Sequence, residues 1–361
     1  LTTTARDPNN HGHIRESAVL SPVGSNRRRE YQTRRNLEKP HVTRIGNTDL
    51  DVFGLNLGGN VFGWTADRAA SAAVLDAYLA GGGNFIDTAD GYSAWAPGNH
   101  GGESETIIGD WMAERGNRDE IVLATKVSTH PEARGLSRKS IRLGLENSLR
   151  RLRTDRIDLY YAHYDDLDTP LEETVAALGE VVAEGKVRQV AASNHSPARI
   201  QESLKIADAL GVARYVAVQP HYNLVHRGTV EGELAELAAR ENLALLPYSA
   251  LASGFLTGKY RDAAAAGESP RAGAARKYLD ERGRRVLAAL DRVAAAHSVT
   301  VTTVALAWLA SRPNVVAPIA SARTPEQLPE LLAAVDLQLT PAELADLTSS
   351  SAAEGQSTRA E

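Results

Sequence analysis

Asp87, Tyr92, Lys126 and His163 stand out for what their side chains could do together. A tyrosine is a poor acid at neutral pH, with a reference pKa of about 10. A lysine ammonium beside it favours the phenolate and is expected to lower that value. An aspartate paired with the lysine keeps it charged and aimed, and a histidine near the phenol can polarise a carbonyl. Such a set suits protonation of a developing alkoxide while hydride arrives from elsewhere. No side chain supplies hydride, so the chemistry implies a nicotinamide cofactor. Singly, each residue has a plainer reading as an ion pair, a core histidine or a packing tyrosine.

Their joint spacing favours the catalytic reading. Asp87 follows the short apolar run Asn84-Phe85-Ile86, Lys126 ends Ile121–Ala124, and His163 ends Ile157–Tyr161. Ser193-Asn194 ends Val187–Ala191, Gln219 ends Tyr215–Val218, and Tyr248-Ser249 ends Leu243–Leu246. The separations Asp87 to Lys126 (39), Lys126 to His163 (37), His163 to Ser193 (30) and Ser193 to Gln219 (26) are each about one β/α unit. Residues one unit apart on adjacent parallel strands converge on one rim.

The elements that must position them follow the same rhythm. With Val52–Leu57 and Val315–Ile319, the apolar runs make eight strand candidates, separated by Ala-, Leu-, Glu- and Arg-rich stretches. Apolar residues at 141, 145, 149 and 152 share one helical face. Ser196-Pro197 reads as an N-cap and first helical residue. Near-continuous apolar strands indicate a parallel sheet buried on both faces. Eight such cycles over roughly 300 residues predict an α/β fold, a closed (β/α)8 TIM barrel, with chemistry at the carboxyl ends of its strands. Two phosphate-loop look-alikes fail. Leu57–Gly63 lacks the G-x-G-x-x-G spacing, and Gly254–Tyr260 has three residues between its glycines and Tyr after Lys. Gly81-Gly82-Gly83 reads as a helix-ending turn.

At this point the sequence resembles the aldo-keto reductases, from about Thr43 to Leu347. Gly83–Tyr92 is similar to the family's first signature, and Gly102-Glu103-Ser104-Glu105 to the segment that follows. The resemblance implies that Asp87, Tyr92, Lys126 and His163 form the catalytic tetrad, with Tyr92 as general acid. It implies cofactor binding by Gly59, Asn60, Asp87, Ser193, Asn194 and Gln219, with Tyr248 stacking on the nicotinamide ring. Ser249, Leu251, Ser253 and Lys259 belong to the implied pyrophosphate loop, and Ser321, Arg323 and Gln327 to the adenosine-phosphate segment. Arg323 could pair bidentately with a 2′-phosphate, so NADPH is expected, with NADH possible. In the same segment Ser321 stands for the family's usual Gly and Leu331 for a common Asn, and Pro329 is a further departure. The implied reaction is reduction of a small aldehyde or ketone.

Resemblance also places a hairpin from residues 42–50, turning at Gly46-Asn47, across the barrel bottom. Asp262–Arg276 is expected to form a mobile flap near the cofactor, and the 91–102 loop with Trp64 to wall a substrate pocket.

Composition narrows the alternatives. The 361 residues contain no cysteine, which removes disulfides, thiolate nucleophiles and cysteine-held metals. Residues 1–43 carry eight Lys/Arg against four Asp/Glu and only ten apolar residues. That stretch is expected to be a flexible basic extension, the barrel to occupy 44–348, and 349–361 to fray. No apolar segment follows its arginine clusters, so export is not expected. The overall charge of −5 argues against nucleic acid, and no apolar run approaches 18 residues. A cytoplasmic enzyme with neither membrane nor nucleic-acid partner is expected. Two other readings stay open: a cofactor-binding, redox-sensing regulatory subunit, and a metal-dependent barrel hydrolase or isomerase using His130, His163, Asp165, His195 or His221.

Overall fold

A computed structural model describes residues 42–261 and 271–352. The expected extension up to residue 41, most of the expected flap (262–270) and the tail from 353 lie outside the described residues. Strands β1 (Val42–Arg44) and β2 (Asp51–Phe53) pair antiparallel. Eight parallel strands follow: β3 (Asn56–Gly58), β4 (Phe85–Asp87), β5 (Val122–Val127), β6 (Ile157–Ala162), β7 (Val187–Ser193), β8 (Tyr215–Gln219), β9 (Ala244–Leu245) and β10 (Ile319–Ala320). They run in sequence order, with β10 beside β3. The ring closes where Val316 N donates to Leu245 O and Ile319 N to Pro247 O. This is the predicted (β/α)8 barrel.

Two edges of the reading need correction. Val52–Leu57 is not one strand: Gly54 and Leu55 bend between β2 and β3, so its first half belongs to the hairpin. Accordingly the hairpin spans Val42–Phe53 and turns through six residues, with Gly46 at φ 51°. The last strand is displaced too. Asn314 to Val316 hydrogen-bond to β9's Leu245, and only Ile319–Ala320 pairs with β3.

The hairpin's Ile45, Leu50 and Val52 pack on Phe85, Val122 and Leu159, at or near the amino ends of their strands. They therefore plug the barrel bottom, as expected. A second apolar layer lies between strands and helices. Helix α1 (Arg68–Ala80) starts on an Asp67 cap and ends at Gly81, with Gly82 at φ 90°. After it come α2 (Glu103–Arg115), α3 (Arg138–Leu152), α4 (Leu171–Ala183) and α5 (Pro197–Leu210). Ser196 caps α5 by accepting from Arg199 N, and α3 buries Ile141, Leu145 and Leu152 as its spacing predicted. Helices α6 (Glu233–Glu241), α7 (Ala272–Arg276), α8 (Glu281–His297), α9 (Val301–Ala310), α10 (Leu328–Leu332) and α11 (Pro341–Ser350) complete the outer ring. The last runs into the stretch expected to fray, and Ser351 beyond it is buried and bonded by Arg227. No single described helix is long and apolar enough to cross a membrane.

Helix α2 approaches α3 closely at Gly109. A Cβ there would stand 2.6 Å from the Leu152 backbone and closer still to the Arg151 carbonyl oxygen. Gly109→Ala gains helix propensity of about 1 kcal/mol, but it forces two helices apart against rigid backbone. A net loss of roughly 1–3 kcal/mol is expected, read as a lower guanidinium midpoint. A midpoint at or above wild type would show that the contact is not tight.

Candidate active site

Strand parity explains which side chains meet. Phe85, Val122, Ala124, Leu159, Tyr161, Ala191 and Ala217 face the barrel interior. Side chains alternate faces along a strand, so steps of two from these reach Asp87, Lys126, His163, Ser193 and Gln219. All five lie at the carboxyl ends, and the register sets Ser193 opposite Gln219. Outward neighbours take another task. Thr125 donates to Glu105 on α2 (2.5 Å), and Arg151 Nε on α3 donates to the same buried carboxylate (2.6 Å).

Lys126 is fully buried, and its ammonium has three acceptors: Asp87 Oδ2 at 2.5 Å, the Thr88 carbonyl at 2.8 Å and Tyr92 Oη at 2.8 Å. Those three exhaust its protons. Asp87 Oδ1 accepts from Gln219 Nε2 at 2.9 Å, and Tyr92 Oη donates to Asp87 Oδ2 at 3.4 Å. His163 lies edge-on to the Tyr92 ring at 6.0 Å, and its buried Nδ1 has no partner among the described residues. Asn194, at φ 55°, donates to Ser193 Oγ and the His163 carbonyl, and accepts from Tyr248 Oη.

Two cavities meet at Tyr92 and Tyr248. One, of about 310 Å³, is lined by Trp95, Thr129, His163, Tyr164, Ser193, Asn194 and Gln219. Trp64 and Trp95 meet edge-to-face at 5.6 Å, but Trp95 lines this cavity while Trp64 lines the larger one. The larger, about 340 Å³, takes in Asn60, Asp87, Ser249, Leu251, Ser253, Lys259, Ser321, Arg323 and Gln327. Of the expected cofactor-binding residues, Ser193, Asn194 and Gln219 line only the smaller cavity and Gly59 lines neither. Its neighbour Gly58 lines the larger, and a Cβ at Gly58 would meet Ser321 Oγ at 2.7 Å. Residues 252–254 all have left-handed backbone, which wraps this loop tightly around the cavity.

Arg271, from the one end of the expected flap that is described, was not among the expected ligands. It lines the larger cavity and stacks on Trp64 at 5.4 Å. Its signal in the sequence was the arginine content of that stretch. Burial, then the nearby Arg323, holds its guanidinium below the usual arginine value. Two like charges thus converge on one space with Lys259, an arrangement suited to anions. Thr88 also escaped sequence reasoning, because its contribution is a backbone carbonyl. Among the described residues no three His, Asp or Glu side chains group to hold a metal. His221 instead stacks between His226 (3.8 Å) and Tyr248 (5.3 Å).

The charge state of Tyr92 reverses the expectation from its lysine neighbour. Burial, then the Asp87 carboxylate, raises the phenol well above its ordinary value. Lys126 itself is lowered by burial, against the pull of Asp87. Tyr92 therefore rests protonated, as a donor. Burial, then Lys126, drives His163 well below the ordinary histidine value, so its ring is neutral.

Comparison with known proteins followed from this geometry. The sequence model of the Aldo/keto reductase family matches residues 54–352. Protein tas of Escherichia coli is 32% identical over 84% of this chain and 95% of its own length. A probable voltage-gated potassium channel subunit beta of Oryza sativa is 36% identical, over 81% of this chain and 90% of its own. Norsolorinic acid reductase B of Aspergillus parasiticus is 34% identical, over 79% and 75%.

The buried histidines couple folding to pH. His163 and His195 are lowered by burial, and burial, then His226, brings His221 down to about 4. An unfolded histidine titrates near 6.5. Below that pH the unfolded chain binds more protons, so stability complete above 6.5 is lost as pH falls toward about 4. Urea midpoints between pH 7.5 and 4 should fall, and less steeply in His221→Gln. Equal slopes would show that His221 is not held neutral.

Proposed function

The chain belongs to the aldo/keto reductase family, and from that premise we propose that it reduces an aldehyde or ketone to the alcohol, using NADPH. The observation that carries this reading is the Lys126 ammonium within 2.8 Å of Tyr92 Oη, where two cavities meet. The cation-lined cavity fits a dinucleotide phosphate. Lys259, Arg271 and Arg323 would hold its anionic groups. Gln327 accepts from Arg323 N at 2.8 Å and so fixes the backbone carrying that guanidinium. Ser193, Asn194 and Gln219 would orient the nicotinamide carboxamide, with Tyr248 against the ring. When bound, NADPH supplies a hydride for the carbonyl carbon.

The remaining work falls to the chain's own residues. Tyr92 gives its phenolic proton to the carbonyl oxygen. The Lys126 ammonium, 2.8 Å away, stabilises the resulting phenolate, and Asp87 holds that ammonium in place. Neutral His163 orients the carbonyl in the smaller cavity. Trp95 and Tyr164 would offer aromatic surface to a small carbonyl compound in the smaller cavity.

A second reading, a cofactor-sensing subunit with slow turnover, draws on the 36% identity to the rice protein named as a channel subunit. Both readings need the cofactor cavity, and only the first needs fast proton donation.

Tyr92→Phe should lower kcat by about 10²–10⁴, while the NADPH dissociation constant, from fluorescence titration, stays within about twofold. Near-normal turnover in that variant would remove Tyr92 from the role of acid. Arg323→Leu should weaken NADPH by about tenfold, the scale of an exposed charge-assisted contact, and leave NADH unchanged. Equal loss for both cofactors would remove Arg323 from recognition of the 2′-phosphate.

A further inference from the structure

Asp90 is fully buried beside the catalytic quartet, yet it touches none of the four side chains through a hydrogen bond. Its carboxylate faces the loop after β5. Oδ2 accepts from the backbone N–H groups of Ser128 and His130, both at 3.3 Å, and Oδ1 from Thr129 Oγ at 2.8 Å. Its own N–H donates to the Lys126 carbonyl at 3.1 Å. One carboxylate therefore gathers three consecutive residues. Gly91 packs so closely on Thr129 that a Cβ would collide with its hydroxyl.

Ser128 sits at φ 135°, a backbone conformation that L residues rarely adopt without support. Support comes from Asp90 on one side. On the other, Ser128 Oγ accepts from Tyr164 N at 3.2 Å, next to His163 N donating to the Val127 carbonyl. The Tyr164 ring lies 4.7 Å from the His163 ring, tilted by 33°. No hydrogen bond to the His163 imidazole fixes it among the described residues. Its orientation rests on this packing and on the backbone beneath. Thr129, His163 and Tyr164 all line the smaller cavity, while none of residues 128–130 lines the larger one.

We propose that Asp90 is a positioning residue: through Ser128 it fixes the Tyr164–His163 pair, and through Thr129 it fixes the facing wall of the substrate cavity. This rests on the carbonyl-reductase reading and deepens it. Through the loop Asp90 acts on the carbonyl's orientation, and its charge separately helps keep the buried Lys126 protonated.

Asp90→Asn keeps the shape but puts an NH2 group against N–H donors. Its kcat/KM for an aromatic aldehyde should fall by about tenfold or more, the scale of a small misplacement at a reacting centre. The NADPH dissociation constant should stay within about twofold. Ser128→Ala, which removes only the Tyr164 contact and no charge, should show a smaller loss of the same kind with the pH midpoint of kcat unmoved. The double variant should be no worse than the poorer single one, because both act along one path. Losses that multiply, a displaced pH midpoint in Ser128→Ala, or a parallel loss of NADPH affinity would each overturn the proposal.

A readout without turnover separates the proposal from the reading beneath it. In the cofactor-free protein, the His163 imidazole carbon and proton NMR signals, assigned with His163→Gln, should shift or broaden in both variants. Unmoved signals would overturn the positioning role. Moved signals in a protein that reduces no carbonyl would retain that role and sink carbonyl reduction instead.

Discussion

The Lys126–Asp87 pair, with both side chains withdrawn from water, sets the terms for everything around it. Burying two such ions costs several kcal/mol each, and attraction offsets that only when every remaining proton and lone pair is satisfied. Lysine has three protons, and here they go to an aspartate, a backbone carbonyl and a phenol. The second aspartate oxygen goes to Gln219 on β8. Strands β4, β5 and β8 must therefore arrive with fixed register and spacing, which the closed barrel imposes. An open sheet would leave the same groups facing solvent or unpaired.

That dependence explains why so much of the site was legible. A buried parallel strand shows a continuous apolar run, and a polar residue just past its end has few structural excuses. The inward step of two from Phe85, Ala124 and Ala217 is local arithmetic, so Asp87, Lys126 and Gln219 could be grouped before any contact was seen. What failed was whatever depends on competition between neighbours. Val52–Phe53 and Asn56–Leu57 form one apolar run, and only tertiary pairing shows that the first half belongs to the hairpin. The protonation of Tyr92 turns on whether burial and Asp87 outweigh Lys126, and spacing cannot weigh those. Arg271 lies among the 70 residues between Tyr248 and Ile319, in the irregular part that precedes α8.

Charge is divided along the same line between strand and loop. The chain carries −5 overall, and residues 44–361 carry −9 after the +4 of the first 43. A surface of that sign repels a dinucleotide phosphate at long range. Lys259, Arg271 and Arg323 line one cavity and reverse the sign locally. At about 8 Å of screening in physiological salt, a local cluster counts for more than the distant mean. Neither Lys259 nor Arg323 forms an ion pair among the described residues, and the three cations outnumber the one carboxylate, Glu330, that lines the cavity without a lysine partner.

Asp87 and Lys126 lie in strands and His163 directly follows β6, whereas Tyr92 sits well into the loop after β4, and loops ordinarily hold side chains less tightly than strands. Two contacts compensate. Lys126 spends its third proton on the phenol, which fixes the oxygen. The next residue, Ser93, has left-handed backbone (φ 71°) and donates its buried hydroxyl to the Phe62 carbonyl at 2.7 Å, which fixes the main chain. Asn99 adds bonds from the same loop to Gly63 and Ser93. The Tyr92 side chain is thereby held at both its ends while its ring lines both cavities. A strand position could give the first property but not the second, since inward strand residues face only the barrel axis. Placing the phenol on a pinned loop lets one oxygen border both cavities, as the proposed reaction requires.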